Sequence, residues 1–445
     1  MRGKYSRRKF LGNSARALIM AGSITALPKD VQAKIKEENE DEIYDKGFSI
    51  LQGLTTETTT QLSVDVPKDF PVHYRLVDFT KGRAIHPKNT SRATRDFSSW
   101  AVDQIMFDSL ELGIIYLFQV LDADGQILDE RELRTVDLNN KEARIATMSC
   151  MMDFNLFKSK IWSNLDKMDP DYCFFMGDNV YGDLGGFKLG PKLLWRRYIE
   201  TRKNIPFYHK RSLTPVLALW DDHDFGKNDA NHKYKHKDDA LDVFNSFYPR
   251  KPIEGVYEQG PGVSSIFRAF HHDFIFIDNR YYRDSMRLGA RSFWGMDQFH
   301  WIQNEIQKSP NPKWLLQGSQ FFGAYQAKKG QSFEGSKYEH EFDAVMNMLK
   351  KTNLPNLFLS GDVHFTEVQD IERNKTGYRT YELTASHMHS FTGMPKKNTK
   401  RRRQKLADAN FLVIDLINAA YGALYEVRCV RRDKFLAFHD FLQVY

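Results

Sequence analysis

The sequence predicts a mixed α/β (α+β) chain in which an N-terminal β-sandwich is followed by a larger domain of alternating strands and helices. Two observations predict it. Residues 47–140 hold short runs rich in Val, Thr and Tyr without helical periodicity, and Asp124-Gly125 marks a hairpin. From about residue 141 to residue 445, short apolar runs alternate with amphipathic segments. Such a pattern indicates a sheet buried on both sides between helices.

The first 46 residues predict an export signal and a linker. Within residues 1–33, Arg7 and Arg8 precede Lys-Phe-Leu, a short apolar stretch and small residues around Ala33 that suit a signal peptidase. The apolar stretch is too short to span a bilayer, and the whole segment resembles a twin-arginine signal. Residues 34–46 are highly charged and are predicted to form a solvated linker.

Charge and cysteine content exclude several classes of protein. The net charge is +7, but +6 of it lies in residues 1–33, so the rest of the chain carries about +1. We therefore expect no stable nucleic-acid partner. Three cysteines exclude a disulfide scaffold, and the absence of a long apolar run after residue 33 excludes a transmembrane segment in the mature chain.

Amphipathic segments and apolar runs predict further elements of the larger domain. Three helices are predicted from apolar residues that recur at spacings of three and four. The residues are Phe157, Ile161, Leu165 and Met168; Phe299, Ile302 and Ile306; and Phe342, Val345, Met346 and Leu349. The apolar runs at 411–417, 424–430 and 435–441 predict short antiparallel strands.

Polar side chains of metal-ligand type follow several of the buried strands. They are Cys150 after the first strand, Asp178 and Tyr181 after the second, Asp221, Asp222, His223 and Asn228 after the third, and Asp362 and His364 after the last. The carboxyl ends of parallel strands meet at one edge of a sheet, where ligands bind. We therefore expect these side chains to share one site.

The chemistry of that set of residues predicts two metal ions. Buried carboxylates are unfavourable unless they are paired or bind cations, and Lys and Arg are scarce within these motifs. A thiolate with a phenolate favours Fe(III), whereas carboxylate and amide oxygens favour a harder divalent ion such as Ca²⁺, Mg²⁺ or Mn²⁺. One Asp shared between two ions gives the arrangement that stabilises both the attacking and the leaving oxygen of a displacement.

At this point the chain resembles a known family, the PhoD-like (alkaline phosphatase D) metallophosphatases, from about residue 47 to the C-terminus. The motifs that carry the resemblance are GDNVY (177–181), WDDHDFGKND (220–229), IDNRYYR (277–283), GSQFF (318–322) and SGDVH (360–364). The resemblance implies a metallophosphatase-type αββα sandwich, with two packed sheets flanked by helices, over residues 141–445. It also implies an exported enzyme that hydrolyses phosphate mono- or diesters.

The resemblance implies roles for individual residues. The implied metal ligands are Cys150, Asp178, Tyr181, Asp222, Asn228, Asp362 and His364, around Fe(III) plus Ca²⁺, with Mg²⁺, Mn²⁺ or Zn²⁺ as alternatives to Ca²⁺. Cys150, Asp178, Tyr181 and Asp362 are implied for the iron, and Asp178 is implied to bridge the two ions and to be essential for turnover. His223 is implied to protonate the leaving group as general acid. Arg280 and His389 are implied to contact the substrate.

Three alternatives remain open. A purple acid phosphatase also pairs a β-sandwich with a tyrosinate site, although WDDHD and the early Cys favour the PhoD-like family. A nuclease is suggested by the basic run 396–403, for which a solvated loop is the simpler interpretation. A non-catalytic protein that binds phosphate groups of the cell envelope is the third. The expected location is the periplasm or outer cell surface, reached through the twin-arginine machinery.

Overall fold

The structure is a computed structural model that describes most of the chain after residue 46. It covers residues 47–154, 159–186, 188–285, 291–323, 332–334, 337–352, 354–395, 400–418, 423–433 and 435–444. The predicted signal (1–33) and linker (34–46) lie outside the described residues. Among the helices of the described residues, none is both long enough and apolar enough for a bilayer crossing.

The N-terminal part folds as two packed four-stranded antiparallel sheets. Its strands are β1 (Ser49–Thr55), β2 (Thr60–Pro67), β3 (His73–Asp78), β4 (Ala84–Ile85), β5 (Asn89–Ala93), β6 (Trp100–Phe107), β7 (Ile115–Leu121) and β8 (Ile127–Arg134). One sheet has the order β1-β2-β6-β5 and the other β4-β3-β7-β8. Leu62 and Ile105 of the first pack on Leu76 and Phe118 of the second. The predicted hairpin joins β7 to β8, and Gly125 there has a φ of 79°.

The remaining strands form two larger sheets. They are β9 (Arg144–Met148), β10 (Tyr172–Met176), β11 (Val216–Leu219), β12 (Tyr257–Gln259), β13 (Ser265–Ala269), β14 (His272–Phe276), β15 (Lys313–Leu316), β16 (Asn356–Ser360), β17 (Thr366–Ile371), β18 (Thr380–Thr384), β19 (Arg402–Leu406), β20 (Asn410–Asn418), β21 (Ala423–Arg431) and β22 (Leu436–Val444). The six-stranded sheet has the order β11-β10-β9-β20-β21-β22, and the eight-stranded sheet has the order β12-β13-β14-β15-β16-β18-β17-β19.

Helices pack outside these two sheets. They are α1 (Ser159–Met168), α2 (Pro191–Asn204), α3 (Asp222–Phe225), α4 (Lys237–Phe247), α5 (Met296–Gln307), α6 (Glu339–Thr352) and α7 (Arg373–Thr376). Ile302 of α5 and Val345 of α6 join the apolar core of the eight-stranded sheet, as their spacing predicted. Trp162 of α1 packs on Phe175 of the six-stranded sheet. The two sheets contact each other through Phe174 and Phe274, whose ring centroids are 5.1 Å apart. The predicted αββα arrangement is confirmed.

Strand direction explains where polar residues gather. β9, β10 and β11 are parallel to one another, and so are β14, β15, β16 and β18. The register pairs Met176 with Leu219 and Phe175 with Met148, so the three strands of the first set end level with one another. Strands β20, β21 and β22 are antiparallel, as predicted, and β20 pairs with β9.

The basic run differs from the expectation of a solvated loop. Residues 396–399 lie outside the described residues, but Arg402–Leu406 form strand β19, which pairs with β17. Arg402 Nε lies 2.6 Å from Glu367 Oε2, and Arg403 Nε lies 2.5 Å from Asp440 Oδ2. Arg401 pairs with Glu334. These three side chains bind carboxylates of the chain itself, which removes their support for the nuclease alternative.

The N-terminal sheets and the rest of the chain pack into one compact unit, Lys46–Tyr445. Arg202 of α2 pairs with Asp65 of β2 at 2.8 Å, and both side chains are buried. Arg202 also donates to Ser63 Oγ at 2.9 Å, and Ser63 in turn donates to the carbonyl of Phe247. Strand β2 is therefore buried on both faces, because α2 and α4 cover the face that points away from the sandwich core.

Candidate metal centre

Two glycines allow the loops that follow the strands to lie close together, one within the six-stranded sheet and one between the two large sheets. Gly177 follows β10 with a φ of 93°, and a Cβ there would lie 2.7 Å from the Cβ of Asp221. A Cβ on Gly361, which follows β16, would lie 2.8 Å from the carbonyl oxygen of Met176. Glycine is required at both places because a side chain would push the loops apart.

One group of ligand-type side chains surrounds Cys150. Its Sγ lies 3.6 Å from Asp178 Oδ2, and potential ligand atoms of Cys150, Asp178 and His364 all lie within 4.8 Å of one another. The Tyr181 hydroxyl lies 3.3 Å from His364 Nε2 and 2.9 Å from Ser390 Oγ. A thiol, a carboxyl, an imidazole and a phenol therefore meet in one buried place.

A second group consists of carboxylates. Ligand atoms of Asp178, Asp221, Asp222 and Asp362 lie within 4.8 Å of one another, and Asp178 also groups with Asp222 and His223. Asp178 is thus common to the thiol group and the carboxylate group. The Asp362 carboxylate lies with Asp221 and Asp222, whereas the Asp362 carbonyl oxygen lies 3.7 Å from Cys150 Sγ.

The backbone at these residues adopts a conformation that non-glycine residues rarely use. The φ angle is 56° at Cys150, 52° at Asp178, 69° at Asp362 and 58° at His364. Each such residue costs about 1–3 kcal/mol, and the surrounding structure must hold it in place. The left-handed turns direct all four residues into the same space after their strands end.

Negative charge exceeds positive charge in the centre. Four buried carboxylates (Asp178, Asp221, Asp222 and Asp224) and the half-buried carboxylate of Asp362 belong to it or border it, against the cations of Arg280, Arg283 and His223. Burial raises the pKa of Asp178 and of Asp362 well above the usual range of a carboxyl. Burial likewise raises the pKa of the Cys150 thiol and of the Tyr181 phenol. These groups are stable as anions only beside additional positive charge.

The pKa values of Asp222 and His364 are lowered rather than raised. Burial acts to raise the pKa of Asp222, but Arg280 and His223 outweigh burial and lower it to about 2. Burial lowers the pKa of His364 to about 4, so its imidazole is neutral and its nitrogen lone pair is available. Both are in the state that a metal ligand requires.

His223 is held from two sides. Its Nδ1 donates to Asp183 Oδ1 at 2.7 Å, and its ring lies on Tyr181 with the centroids 4.3 Å apart. Burial alone would lower the pKa of His223, but the carboxylates of Asp178, Asp183 and Asp222 raise it to about 10. The ring is therefore a cation at neutral pH, with Nε2 as the nitrogen that Asp183 leaves available.

Three other residues from the sequence prediction have different surroundings. Arg280 is buried, pairs with Asp221 and lies 3.7 Å from Asp222 Oδ1. His389 is also buried, its Nδ1 lies 2.8 Å from the carbonyl oxygen of Met152, and its ring packs on Trp162. Asn228 is exposed, and its backbone amide donates to Asp183. The substrate-contact roles of Arg280 and His389, and the ligand role of Asn228, stay predictions.

Comparison with known proteins identifies the family. A family model described as PhoD-like phosphatase matches residues 145–414, which is more than half of the chain. The chain belongs to the PhoD-like phosphatase family. A solved structure of PhoD superposes with a TM-score of 0.67 at 15% identity, covering 88% of this chain and 91% of that chain, which supports the shared fold.

Two further comparisons add nothing to this assignment. A cyclomaltodextrinase structure aligns at 12% identity over 71% of this chain and 59% of that chain, and its TM-score of 0.18 is too low to indicate a shared fold. No curated protein matches the chain in sequence.

The donor set of this PhoD-like chain fits metal binding. Oδ2 of Asp362 and Oδ2 of Asp221 are buried, and no described residue donates a hydrogen bond to either. A buried carboxylate oxygen without a donor is costly, and a cation satisfies it. Sulfur, phenol and imidazole on one side of Asp178 and carboxylates on the other suit two ions that prefer different ligands.

Three carboxylates of the PhoD-like centre were given no role by the sequence analysis. Asp183 orients His223. The sequence feature that could have indicated this role is the position of Asp183, only two residues after the predicted ligand Tyr181. Asp221 binds Arg280. Asp224 accepts the amides of Val180 and Asp221 at 3.0 Å each, so it fixes the loops after β10 and β11. Asp221 and Asp224 lie within WDDHD, where spacing alone does not separate ligands from supporting residues.

Proposed function

We propose that this PhoD-like chain is a metal-dependent phosphoesterase that hydrolyses phosphate mono- or diesters by attack of water on phosphorus. The observation that carries the proposal is the position of Asp178, whose carboxyl is common to the Cys150 group and to the carboxylate group. A shared carboxylate between two dissimilar donor sets is what a pair of different ions requires.

The two donor sets define the proposed ligands. Cys150, Tyr181 and His364 with Asp178 would hold Fe(III), and Asp222 and Asp362 with Asp178 would hold Ca²⁺ or, alternatively, Mg²⁺, Mn²⁺ or Zn²⁺. This proposal departs from the resemblance, which implied Asp362 for the iron, because the Asp362 carboxylate groups with Asp221 and Asp222, whereas His364 groups with Cys150. When bound, the pair of ions supplies an activated water and neutralises charge on the phosphoryl oxygens. Arg280 keeps Asp221 and Asp222 in place through its buried ion pairs, which is a positioning role.

His223 is the proposed general acid. Its Nδ1 is bound by Asp183, so Nε2 is the nitrogen that can pass a proton to the departing oxygen. Because the surrounding carboxylates raise the pKa of His223, the ring carries that proton at neutral pH.

Hydrolysis by the metal-loaded full chain tests this proposal. We expect p-nitrophenyl phosphate or bis(p-nitrophenyl) phosphate to be cleaved, and we expect Asp178→Asn to lower kcat by about a thousandfold or more. The matched control is Asp124→Asn, a carboxyl on the exposed tip of the β7–β8 hairpin, which leaves kcat unchanged. A chain that binds two metal ions and cleaves neither ester would contradict the proposal and favour the non-catalytic alternative.

We also propose that the chain is exported through the twin-arginine pathway to the periplasm or the outer cell surface. The support is the order of Arg7, Arg8, the apolar stretch and the small residues near Ala33. Replacing both arginines by lysine should keep the precursor inside the cell, as measured by cell fractionation. Lys4→Arg is the control that leaves export unchanged, and export of the double variant would refute the pathway.

A further inference from the structure

A cavity of about 420 Å³ lies near the metal centre, although no residue of the centre itself lines it. We call it the proximal cavity, and it is lined by the loop after α3, which includes Lys227, Asp229 and Lys233. The backbone amide of Asp229 donates to Asp222 Oδ2 at 2.6 Å. The same loop therefore forms a wall of the cavity and holds a carboxylate of the centre.

A second cavity of about 830 Å³ continues away from the centre. We call it the distal groove, and it runs between the loop Phe97–Trp100 of the N-terminal sheets and helix α2. Leu189, Lys235 and His236 line both cavities, so the two are neighbours that share a wall. Their combined volume holds several times more than one phosphate group, which indicates a substrate that extends beyond the scissile ester.

Positive charge lines this path, in contrast to the acidic centre. Seven exposed cations face two carboxylates, Asp229 and Glu200. The cations are Lys188, Lys192, Arg196, Lys203, Lys227, Lys233 and Lys235. Arg196 lies 3.6 Å from Glu200, whereas no carboxylate of the described residues lies within 4.0 Å of the ammonium group of Lys188, Lys192 or Lys235. Such a concentration on a nearly neutral chain suits a ligand that carries several phosphates.

Aromatic side chains line the far end of the groove. Phe97 is 40% exposed, and Trp100 is half-buried with the Lys203 ammonium 3.2 Å from its ring centroid. Phe97 therefore offers an accessible ring beside cations, and such a pairing is used to bind single-stranded nucleic acid, because a base stacks on the ring while cations contact the backbone. A polyol phosphate has no flat group to occupy the aromatic surface.

We propose that the distal groove binds the bases and phosphates of a single-stranded oligonucleotide whose scissile phosphodiester lies at the metal centre. The inference rests on the proposed phosphoesterase function and names its substrate class. It departs from the expectation of no stable nucleic-acid partner, which used the net charge of the whole chain, because the cations here are concentrated along one groove. In the reaction, water adds to phosphorus and one P–O bond to a nucleoside oxygen breaks. The proton released from water is balanced by the proton that the departing oxygen gains, so no further reactant is needed.

The test compares long and short diesters on the same metal-loaded enzyme. The long substrate is an oligothymidylate of about eight nucleotides, and the short one is bis(p-nitrophenyl) phosphate, which cannot reach the groove. We expect the triple variant Lys188→Ala, Lys192→Ala, Lys235→Ala to raise KM for the oligonucleotide by about tenfold, with a weaker dependence of KM on salt. The matched control is Lys141→Ala, Lys167→Ala, Lys351→Ala, which removes the same charge from exposed positions elsewhere and changes neither KM.

The aromatic contribution is tested separately. Phe97→Ala should raise KM for the oligonucleotide by about fivefold or more through lost stacking and leave the cleavage of poly(glycerol phosphate) unchanged. Phe435→Ala, at a side chain that is 47% exposed in another part of the chain, is the control that alters neither substrate.

The other possible results distinguish failure of the oligonucleotide proposal from failure of the phosphoesterase proposal. Cleavage of the short diester without cleavage of the oligonucleotide overturns the inference and leaves the phosphoesterase proposal standing. Cleavage of neither overturns the phosphoesterase proposal itself. An equal loss on both diesters in the triple variant, or a loss on poly(glycerol phosphate) alone, overturns the assignment of the groove to nucleic acid.

Discussion

Oδ1 of Asp183 lies 2.7 Å from Nδ1 of His223, and Asp183 Oδ2 accepts the amide of Asn228 at 2.8 Å. One carboxylate thus connects the loop after β10 to the loop after α3 and fixes the orientation of the imidazole. The hydrogen bond determines which ring nitrogen carries the transferable proton.

Removing this hydrogen bond should impair the departure of poor leaving groups. We expect Asp183→Asn to lower kcat by about tenfold to a hundredfold for an alkyl phosphate ester, and by much less for a p-nitrophenyl ester, whose leaving group needs little protonation. Steady-state kinetics with both esters measures the difference, and Asp124→Asn is the control. An equal loss for the two leaving groups would show that Asp183 has only a structural role.

Metal content should respond separately to the two donor sets. Cys150→Ser should reduce the iron-type ion while the second ion is retained, and Asp222→Asn should do the reverse, because each variant changes one donor set. Elemental analysis of the purified proteins measures both. A Tyr181→Phe protein should also lose the visible colour expected of a phenolate bound to Fe(III). Equal loss of both ions in the Cys150 variant would contradict the separation.

Removal of metal should make stability depend on pH. Burial raises the pKa of Asp178 and Asp362 above the unfolded value, so the stability that these carboxyls contribute is present in acid and lost as the pH rises through the folded-state pKa. Chelated protein should therefore have a lower Tm at pH 8 than at pH 5, because its free energy of unfolding falls by up to about 1.4 kcal/mol per carboxyl for each pH unit. Metal-loaded protein should lack this decline, and chelated Asp362→Asn should show a weaker one. Calorimetry with and without chelator decides the question.

The ion pair between α2 and the sandwich should also be sensitive to pH. Burial raises the pKa of Asp65 to about 7 although Arg202 and Lys203 act to lower it. Arg202→Met leaves this carboxylate without its partner, so the free energy of unfolding should fall by about 3–5 kcal/mol at pH 8. The loss should be smaller at pH 5, where Asp65 is protonated. Adding Asp65→Asn should recover most of the loss in denaturant titrations, and failure of that rescue would contradict the mechanism.

The gathering of Cys150, Asp178 and Asp222 could be predicted from sequence because it needs only two facts. Their strands are parallel within each sheet, and the residues come directly after the strands end. Hydrophobic runs reveal both facts within one sheet, whereas the approach of Asp362 and His364, which follow β16 of the eight-stranded sheet, depends on how the two sheets stack.

The surroundings of Arg280 and Asn228 could be determined only from the three-dimensional structure. Arg280 follows β14 in one sheet and meets Asp221 after β11 in the other, so its partner depends on the packing of the two sheets. Asn228 is close in sequence to Asp222, but Gly226 turns the chain with a φ of 96°, and the Asn228 side chain ends on the surface. Neither contact can be inferred from the spacing of apolar residues in the sequence.

The place of β20 in the six-stranded sheet has a consequence for biosynthesis. Strand β9, which leads into Cys150, has β10 on one side and β20 on the other, and β20 ends at Asn418. The ribosome must therefore translate through residue 418 before β9 gains its second neighbour, so the loop that carries Cys150 gains its full support late in synthesis. A secretion route that threads nascent, unfolded polypeptide would postpone assembly until after translocation, whereas a route for finished proteins lets the cytoplasm complete both folding and metal loading.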